Sequence, residues 1–420
     1  MNRRGWLAGA LAAVVAVSAV SFSQVGADQQ QAEKKKRPQA KNVILMVGDG
    51  MGKAQRNAIR LSKVGLEGEL AMEAMPYSGS VHTNSADPKE FVTDSAAAAT
   101  AMATGEKTFN GAVGVDRNKK PVKTALEQAK EVGKATGLVT TSTVTDATPA
   151  AFAAHVDNRD DQSKIAKQFL EDSRPDVILG GGEDYWYPKG NPGVHPDQPA
   201  EDPSEGSEGT EGNLVEKAKE QGYQYVTNRQ ELKKADGSKL LGLFANQEMF
   251  QYDTEAGDKY NPSVPLPEMT DKALQTLSQH EKGFFLLVEE EGTDAMSHVN
   301  NAELTIEAGK QFDKAVARAK AFAKKNGDTL VIVVGDHETG GFTIEALDDS
   351  DESGDGESKE DGPLPVARSN QQFMVDWTTT GHSAVDVPLT AMGPGAKLLK
   401  GVYENTRIHD VIVQVMKAGK

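Results

Sequence analysis

Short runs of consecutive hydrophobic residues recur along the chain, separated by longer segments that carry hydrophobic residues at helical spacing. Each run is too short for a helix and is bounded by polar residues or glycine. This pattern is typical of strands that are buried on both faces of a parallel sheet. The predicted strands span 43–47, 138–141, 177–179, 283–288 and 330–334.

Helices are predicted in the intervening segments, at 61–75, 96–103, 121–132, 161–171, 267–280 and 302–325. Strands that alternate with helices predict right-handed crossovers. The expected fold is therefore α/β, a doubly wound and mostly parallel central sheet with helices on both faces. Two segments, 190–212 and 348–362, are rich in Pro, Gly, Ser, Asp and Glu and are predicted to be acidic surface insertions.

Several predicted strands are followed at once by side chains that can bind a metal. Glycines at 48, 50 and 52 let the backbone turn tightly around the first of these side chains. Open parallel sheets bind ligands just beyond the carboxyl ends of their strands, so we expect these residues to share one site. They are Asp49, Asp146, Thr148, Glu289, Asp336 and His337.

A serine lies where a short β-like run meets an alanine-rich segment, in the sequence FVTDSAAAATAMATG at 91–105. Asp94 and Ser95 both favour the start of a helix. Ser95 is therefore expected where free N–H groups and the positive end of the helix dipole face outward, a position that suits phosphate. Taken alone, the simpler interpretation is that Ser95 only caps the helix.

Three clusters carry a metal-ligand pattern: Glu289 with Asp294 and His298, Asp336 with His337, and an isolated His382. Asp294 and His298 are four residues apart, which places them on one face of a helical turn. The chain has no cysteine, so thiolate sites are excluded. Oxygen and imidazole ligands suit Zn²⁺, and oxygen alone suits Mg²⁺. Each cluster by itself is also compatible with an ion pair or a core histidine.

Composition narrows the class of protein. The 420 residues suffice for one large domain or two ordinary ones, and the net charge of −16 argues against general binding to nucleic acid or anionic membranes. Two arginines, a hydrophobic run and a small-residue cleavage site predict a signal peptide over 1–27, with Sec and twin-arginine export both open. Residues 28–41 are predicted to be a flexible linker. The hydrophobic run is short for a membrane span, so the mature protein is expected to be exported without one.

From residue 41 to about residue 399, the acidic segments excepted, the chain resembles the bacterial alkaline phosphatases. The shared motifs occur in family order. They are GDGMG at 48–52, VTDSAAAATA at 92–101, TFNG at 108–111, DATPA at 146–150, HV with Arg159 at 155–159, VEEEGTDAMSH at 288–298, DHE at 336–338 and TGH at 380–382.

The resemblance implies hydrolysis of small phosphate monoesters through a phosphoserine on Ser95, with two zinc ions and one magnesium ion. One zinc would be held by Asp294, His298 and His382. The other would be held by Asp49, Asp336 and His337. The magnesium would take Asp49, Thr148 and Glu289, with Asp146 acting through water. Arg159 would bind phosphate, and Asp94 would orient Arg159. The resemblance also allows a homodimer.

Metal activation makes a catalytic triad unnecessary. A positioned histidine base contributes about 10²- to 10⁴-fold, whereas zinc can lower the pKa of bound water from about 16 to about 7. Two other functions stay open: a phosphodiesterase or sulfatase of the same superfamily, and a phosphate-binding or metal-storage protein. The nucleophile Ser95 argues against storage.

The chain departs from the family pattern at two places. Three consecutive glutamates at 289–291 leave the position of the magnesium ligand open, and Glu289 is preferred because its spacing to Asp294 matches the family. Relatives commonly carry Lys, His or Trp after that aspartate, whereas this chain has Ala295. Weaker water-mediated contact with phosphate is expected.

Overall fold

The computed structural model describes residues 38–196, 206–254, 257–347 and 359–417. The predicted signal peptide, most of the predicted linker, residues 197–205 and residues 348–358 lie outside the described residues. The end of the predicted linker belongs to the packed domain, because Ala40 is buried and its N–H donates to the Val415 carbonyl at 3.1 Å. No described helix combines the length and hydrophobicity needed to cross a membrane.

A ten-stranded sheet forms the centre of the molecule, in the order β15-β2-β14-β8-β1-β7-β3-β4-β6-β5. Only β14 runs antiparallel to its neighbours in this sheet. The α/β expectation is confirmed. The strands of the sheet are β1 Asn42–Gly48, β2 Tyr77–His82, β3 Ala135–Thr143, β4 Val177–Gly181, β5 Gln224–Val226, β6 Leu240–Leu243, β7 Phe284–Glu290, β8 Thr329–Gly335, β14 Val387–Met392 and β15 Gly401–Glu404.

Helices cover both faces of the sheet because its central strands are hydrophobic on both sides. In β1, Val43 and Leu45 face one hydrophobic core, whereas Ile44 and Met46 face another. The helices are α1 Lys53–Val64, α2 Ser95–Thr104, α3 Ala125–Glu131, α4 Ala147–Ala153, α5 Gln162–Gln168, α6 Leu214–Glu220, α7 Arg229–Lys234, α8 Leu266–Leu277, α9 Gly292–His298, α10 Ala302–Asn326 and α11 Thr406–Lys417. The first core contains side chains of α2–α6 and α11, and the second contains side chains of α1, α7, α8 and α10.

The predicted helix at 61–75 is wrong in position. The helix α1 ends at Val64, and Gly65 follows with φ +82°, a conformation that glycine adopts readily. A side chain at this position would also meet the Ala367 carbonyl at 2.3 Å. The chain therefore leaves the helix where the hydrophobic pattern alone would have continued it.

A small three-stranded sheet, β10-β12-β11, lies beside α1 and the start of α10. Trp377 and Phe342 pack together at this sheet, with ring centroids 4.7 Å apart in the edge-to-face arrangement that aromatic pairs prefer. Residues 359–362, predicted to lie in the second acidic insertion, are part of its strand β11. The remaining strands are β9 Glu338–Thr339, β10 Thr343–Glu345, β11 Lys359–Pro365, β12 Gln372–Trp377 and β13 His382–Ser383, with β9 and β13 paired.

Candidate metal centre and active site

The site lies at the carboxyl ends of β8, β1, β7 and β3, which are neighbours in the sheet. Gly48 at the end of β1 is level with Gly335 on one side and Glu290 on the other. The residues that follow these strands therefore converge at one edge, as the sequence predicts for a parallel sheet.

One cluster joins Asp294, His298 and His382, whose ligand atoms lie within 4.8 Å of one another. The Nε2 atom of His298 is 3.1 Å from Asp294 Oδ2 and 3.1 Å from His382 Nε2. The short helix α9 places Asp294 and His298 on one face, as their spacing predicts.

Backbone carbonyls fix the orientation of both imidazoles. The Nδ1 atom of His298 is 2.6 Å from the Thr380 carbonyl, and the Nδ1 atom of His382 is 2.8 Å from the Thr93 carbonyl. Since a carbonyl only accepts, each Nδ1 carries the proton and each Nε2 is left free to act as a ligand. Burial lowers the pKa of His298, but the hydrogen bond and charge of Asp294 outweigh it and raise that pKa to about 9. A cation at Nε2 would therefore displace the proton that Asp294 stabilises there.

A second cluster surrounds the fully buried His337. Its Nε2 atom is 3.2 Å from Ser95 Oγ, 3.2 Å from Asp336 Oδ2 and 3.5 Å from Asp49 Oδ1. Backbone N–H groups of Gly50 and His337 donate to the other Asp336 oxygen, at 3.1 and 2.9 Å. The structure also brings Asp294 close to Asp49 and His337, so the two clusters are contiguous.

A third group consists of oxygen ligands only. Thr140 donates to Glu289 Oε2 at 2.7 Å, and burial together with the charge of Asp146 raises the pKa of Glu289 to about 8. Asp49, Asp146 and Glu289 do not form a cluster as tight as the other two among the described residues.

Buried oxygens test whether these groups fit cations. Within the part of the chain that the structure describes, no hydrogen bond reaches either carboxylate oxygen of Asp49, and the Thr148 hydroxyl faces the buried carboxylate of Glu289. Burying such oxygens without a partner is unfavourable, and burial with the charge of Asp336 raises the pKa of Asp49 well above its usual value. The residues fit divalent cations: carboxylate with imidazole suits zinc, and carboxylate with hydroxyl suits magnesium.

The three consecutive glutamates have different environments. The carboxylate of Glu290 accepts from Thr141 Oγ1 at 2.7 Å, from Tyr260 Oη at 2.5 Å and from the Gly292 N–H at 3.0 Å. Glu290 is therefore occupied by the protein itself. The carboxylate of Glu289 accepts a hydrogen bond from Thr140 Oγ1 instead.

Ser95 begins α2, and Asp94 is its N-cap. The Asp94 carboxylate accepts from the N–H groups of Ala97 at 2.9 Å and Gly111 at 2.8 Å. The Arg159 guanidinium reaches Asp94 Oδ2 at 3.3 Å and Asp146 Oδ1 at 2.9 Å. Burial lowers the pKa of Arg159, but these two carboxylates more than compensate and hold it above its usual value.

Sequence reasoning missed residues that act through hydrogen bonds. Thr339 donates to Asp294 Oδ1, and its Oγ1 lies 3.2 Å from His337 Nδ1, so it links the two clusters. It stands three residues after Asp336 in the sequence, but a threonine gives no ligand signal by itself. Ala295, which stands where relatives commonly carry a polar or aromatic side chain, is 1% exposed and packs in a hydrophobic cluster with Phe250.

Comparisons with known proteins agree on one family. The family model described as "Alkaline phosphatase" matches residues 40–358 and 349–418. The chain is 35% identical to alkaline phosphatase 4 of Bacillus subtilis, over 98% of this chain and 96% of that protein. It is 38% identical to the alkaline phosphatase of Escherichia coli, over 71% and 70%.

Solved structures give the same result. The alkaline phosphatase of the Antarctic bacterium TAB5 superposes with a TM-score of 0.73 at 32% identity, over 91% of this chain and 100% of that one. A cold-active phosphatase from Shewanella sp. gives a TM-score of 0.71 at 31% identity, over 89% and 99%.

Proposed function

This chain belongs to the alkaline phosphatase family and is a phosphatase, and we propose that it hydrolyses phosphate monoesters through a phosphoserine on Ser95. One observation carries the proposal: the Ser95 hydroxyl lies 3.2 Å from His337 Nε2. The same His337 nitrogen lies 3.5 Å from Asp49 Oδ1, and the two buried carboxylate oxygens of Asp49 make no hydrogen bond among the described residues. The helix is capped by Asp94, so capping does not account for the position of the Ser95 hydroxyl beside candidate cation ligands.

We propose the ligand sets that the motifs imply. Two zinc ions would take Asp294, His298 and His382, and Asp49, Asp336 and His337. A magnesium ion would take Asp49, Thr148 and Glu289, with Asp146 acting through water. When bound, these ions would acidify the serine and neutralise charge on the transferring group.

The protein's own residues would position the phosphoryl group. Arg159 is held by Asp94 and Asp146, which leaves its planar guanidinium preorganised for two phosphate oxygens. The first turn of α2 adds the positive end of its dipole. Both features favour a dianionic monoester over a monoanionic diester or sulfate ester.

Two transfers complete the reaction. In the first, the bond from Ser95 Oγ to phosphorus forms as the ester O–P bond breaks, and the leaving alcohol takes up a proton. In the second, water attacks phosphorus, the bond to Oγ breaks, and Ser95 recovers its proton as inorganic phosphate leaves. The covalent intermediate divides one difficult displacement into two easier ones.

Further proposals concern the context of the domain. Residues 1–27 would be removed during export, so that the enzyme acts outside the cytoplasm as a domain over 42–420 together with the packed end of the linker at Ala40. We also propose that it acts as a homodimer. Mass spectrometry of the mature chain and light scattering test these two points.

The test of function uses purified protein assayed on an aryl phosphate, an aryl phosphodiester and an aryl sulfate, with and without a chelator. Only the monoesterase activity is expected to be large and chelator-sensitive. Acid quenching should trap phosphate on Ser95, and Ser95→Ala should lose both the trapped phosphate and most turnover. Unchanged turnover in Ser95→Ala would exclude the covalent route, and larger activity on the diester or sulfate would reassign the substrate.

A further inference from the structure

The motif DHE at 336–338 provides two candidate ligands and leaves its glutamate, Glu338, without a role. We propose that Glu338 is a positioning residue whose buried carboxylate ties together the segments that carry Asp49, His337 and His382, and thereby fixes the spacing of ligands from both zinc-type clusters. This inference rests on the proposed function, because that function places cations at these ligands.

The carboxylate of Glu338 is enclosed by hydrogen-bond donors from three separate segments. The residue is 4% exposed. Its Oε1 atom accepts from Gln55 Nε2 at 2.7 Å and from the Phe342 N–H at 3.0 Å, and its Oε2 atom accepts from the Ser383 hydroxyl. A carboxylate can accept on both of its oxygens at once, so a single side chain holds these segments together.

The donor from α1 links Glu338 to the turn that carries Asp49. Gln55 lies in the first turn of α1, which follows that turn directly, and its Nε2 atom also donates to the Thr339 carbonyl at 2.7 Å. An added Cβ at Gly52 would lie 2.4 Å from Glu338 Cγ. The turn after β1 therefore packs directly against the glutamate side chain.

The donor from β13 links Glu338 to the segment that carries His382. Ser383 pairs with Glu338 in the ladder of β9 and β13, and these two residues directly follow His382 and His337 in the sequence. The ladder contains only two residue pairs, and two short strands by themselves are marginally stable. The side-chain hydrogen bond from Ser383 to Glu338 adds a second link across it.

The two imidazoles on this ladder belong to different clusters. The rings of His337 and His382 are stacked, with centroids 3.6 Å apart and planes 20° from parallel. Cations bound at both clusters would repel each other and would push the two segments apart. A link between the residues that follow the histidines resists this displacement.

The experiment compares two variants that cut the link, Glu338→Met and Ser383→Ala, with two conservative variants that keep it. In Glu338→Gln, the amide oxygen can still accept from Gln55 and Phe342 while the NH₂ group donates to the Ser383 oxygen. Ser383→Thr retains the hydroxyl, and Ser383 borders a cavity of about 930 Å³, which leaves room for the methyl group. Glu360→Met is the matched control, because Glu360 is an exposed glutamate on β11.

Each full-length protein is stripped with chelator and reloaded with Zn²⁺ or with Co²⁺, which binds the same carboxylate and imidazole ligands and whose visible spectrum reports their geometry. Retention of Zn²⁺ is measured by competition with a chelator. Urea unfolding gives the stability of the metal-free proteins.

Glu338→Met and Ser383→Ala are expected to retain Zn²⁺ about 10- to 100-fold less tightly and to change the Co²⁺ spectrum. Glu338→Gln, Ser383→Thr and Glu360→Met should match the unmodified chain in both measurements. The double variant that combines Glu338→Met with Ser383→Ala should lose a smaller factor than the product of the two single losses, because both changes remove the same hydrogen bond.

The inference is overturned if Ser383→Ala keeps the Zn²⁺ retention and the Co²⁺ spectrum of the unmodified chain, a comparison that stands even where Glu338→Met folds poorly. A loss confined to the stability of the metal-free protein would show a purely structural role and overturn it. An equal loss of Zn²⁺ by Glu338→Gln and Glu338→Met would assign the effect to charge and overturn it too, as would a full chain that binds neither cation. None of these measurements involves the Ser95 hydroxyl, so equal turnover by Ser95→Ala and the unmodified chain would refute the proposed function separately.

Discussion

Replacement of Asp94 by asparagine tests its two roles, which are to cap the helix at Ala97 and to hold Gly111 and Arg159. The aspartate accepts from Ala97 N–H through Oδ1, and from Gly111 N–H and Arg159 through Oδ2. An asparagine has one oxygen and one NH₂ group, so it can satisfy only one side. Whichever way the amide turns, a donor faces a donor on the other side.

The magnitude follows from these contacts. If the amide oxygen keeps Ala97, the Gly111 N–H is left unsatisfied at about 1–3 kcal/mol. If it turns to Gly111, the helix cap is lost at about 0.5–2 kcal/mol. The partly exposed Arg159 pair adds about 0–1 kcal/mol in either case. Asp94→Asn should therefore lower the free energy of unfolding by about 1–3 kcal/mol, and Asp94→Ala by more, because it loses both sides.

The assay is urea unfolding at saturating metal, together with inhibition by inorganic phosphate. Arg159 loses one of its two anchors, so we expect about tenfold weaker phosphate inhibition, equivalent to about 1.4 kcal/mol. The control is Asp160→Asn, which removes the same charge from an exposed position next to Arg159. An Asp94→Asn protein that unfolds and binds phosphate like this control would refute the reasoning.

Four further outcomes are expected. Thr339→Val removes the donor to Asp294 and should weaken zinc retention against a chelator about 10- to 100-fold. Gly50→Ala should reduce zinc content, because Gly50 has φ +62° and an added Cβ would lie 2.5 Å from Asp294 Oδ1. Chelation should lower the melting temperature, since cations that bind only the folded state stabilise it by about 4 kcal/mol at a thousandfold excess over Kd. Burial lowers the pKa of His155, but Glu127 and the Gly114 carbonyl raise it overall. The stabilisation that protonated His155 gives the folded state is therefore complete below about pH 6.5 and is lost as the pH rises through the folded-state pKa. The difference in the free energy of unfolding between the unmodified chain and His155→Gln, measured with urea, should shrink across that range.

The central strands and the edge strands differ in how well the sequence predicts them. β1, β4, β7 and β8 are buried on both faces, so each contains a run of consecutive hydrophobic residues. β3, equally buried, reads ATGLVTTST and shows only Leu138 and Val139 as a hydrophobic core. The outer strand β2, which lies next to the edge strand β15, reads YSGSVH and is mostly half-buried, so it contains no such run. The last helix, α11, has a clear amphipathic pattern, TRIHDVIVQVMK, and could have been predicted from its spacing.

The candidate site divides in the same way. Carboxylates and histidines next to strand ends could be predicted because their chemistry and their place in the sheet coincide. Thr339 could not, since its role depends on the atoms that its hydroxyl contacts, Asp294 Oδ1 and His337 Nδ1. A threonine hydroxyl has the same sequence signal in a turn on the surface as it has beside a candidate metal ligand.

The groups around the nucleophile come from opposite ends of the polypeptide. Ser95 and His337 are separated by 242 positions, and the contact between Thr93 and His382 spans 289. Closing such large loops is slow. Because His382 lies near the end of the sequence, a ribosome must also finish almost the whole protein before this imidazole can join the others. Until then, the acidic residues at the ends of the early strands have no complete cage for a cation. We expect the enzyme to bind its cations only once nearly the whole chain has been synthesised, so that catalytic competence is a property of the finished chain and not of any shorter nascent segment.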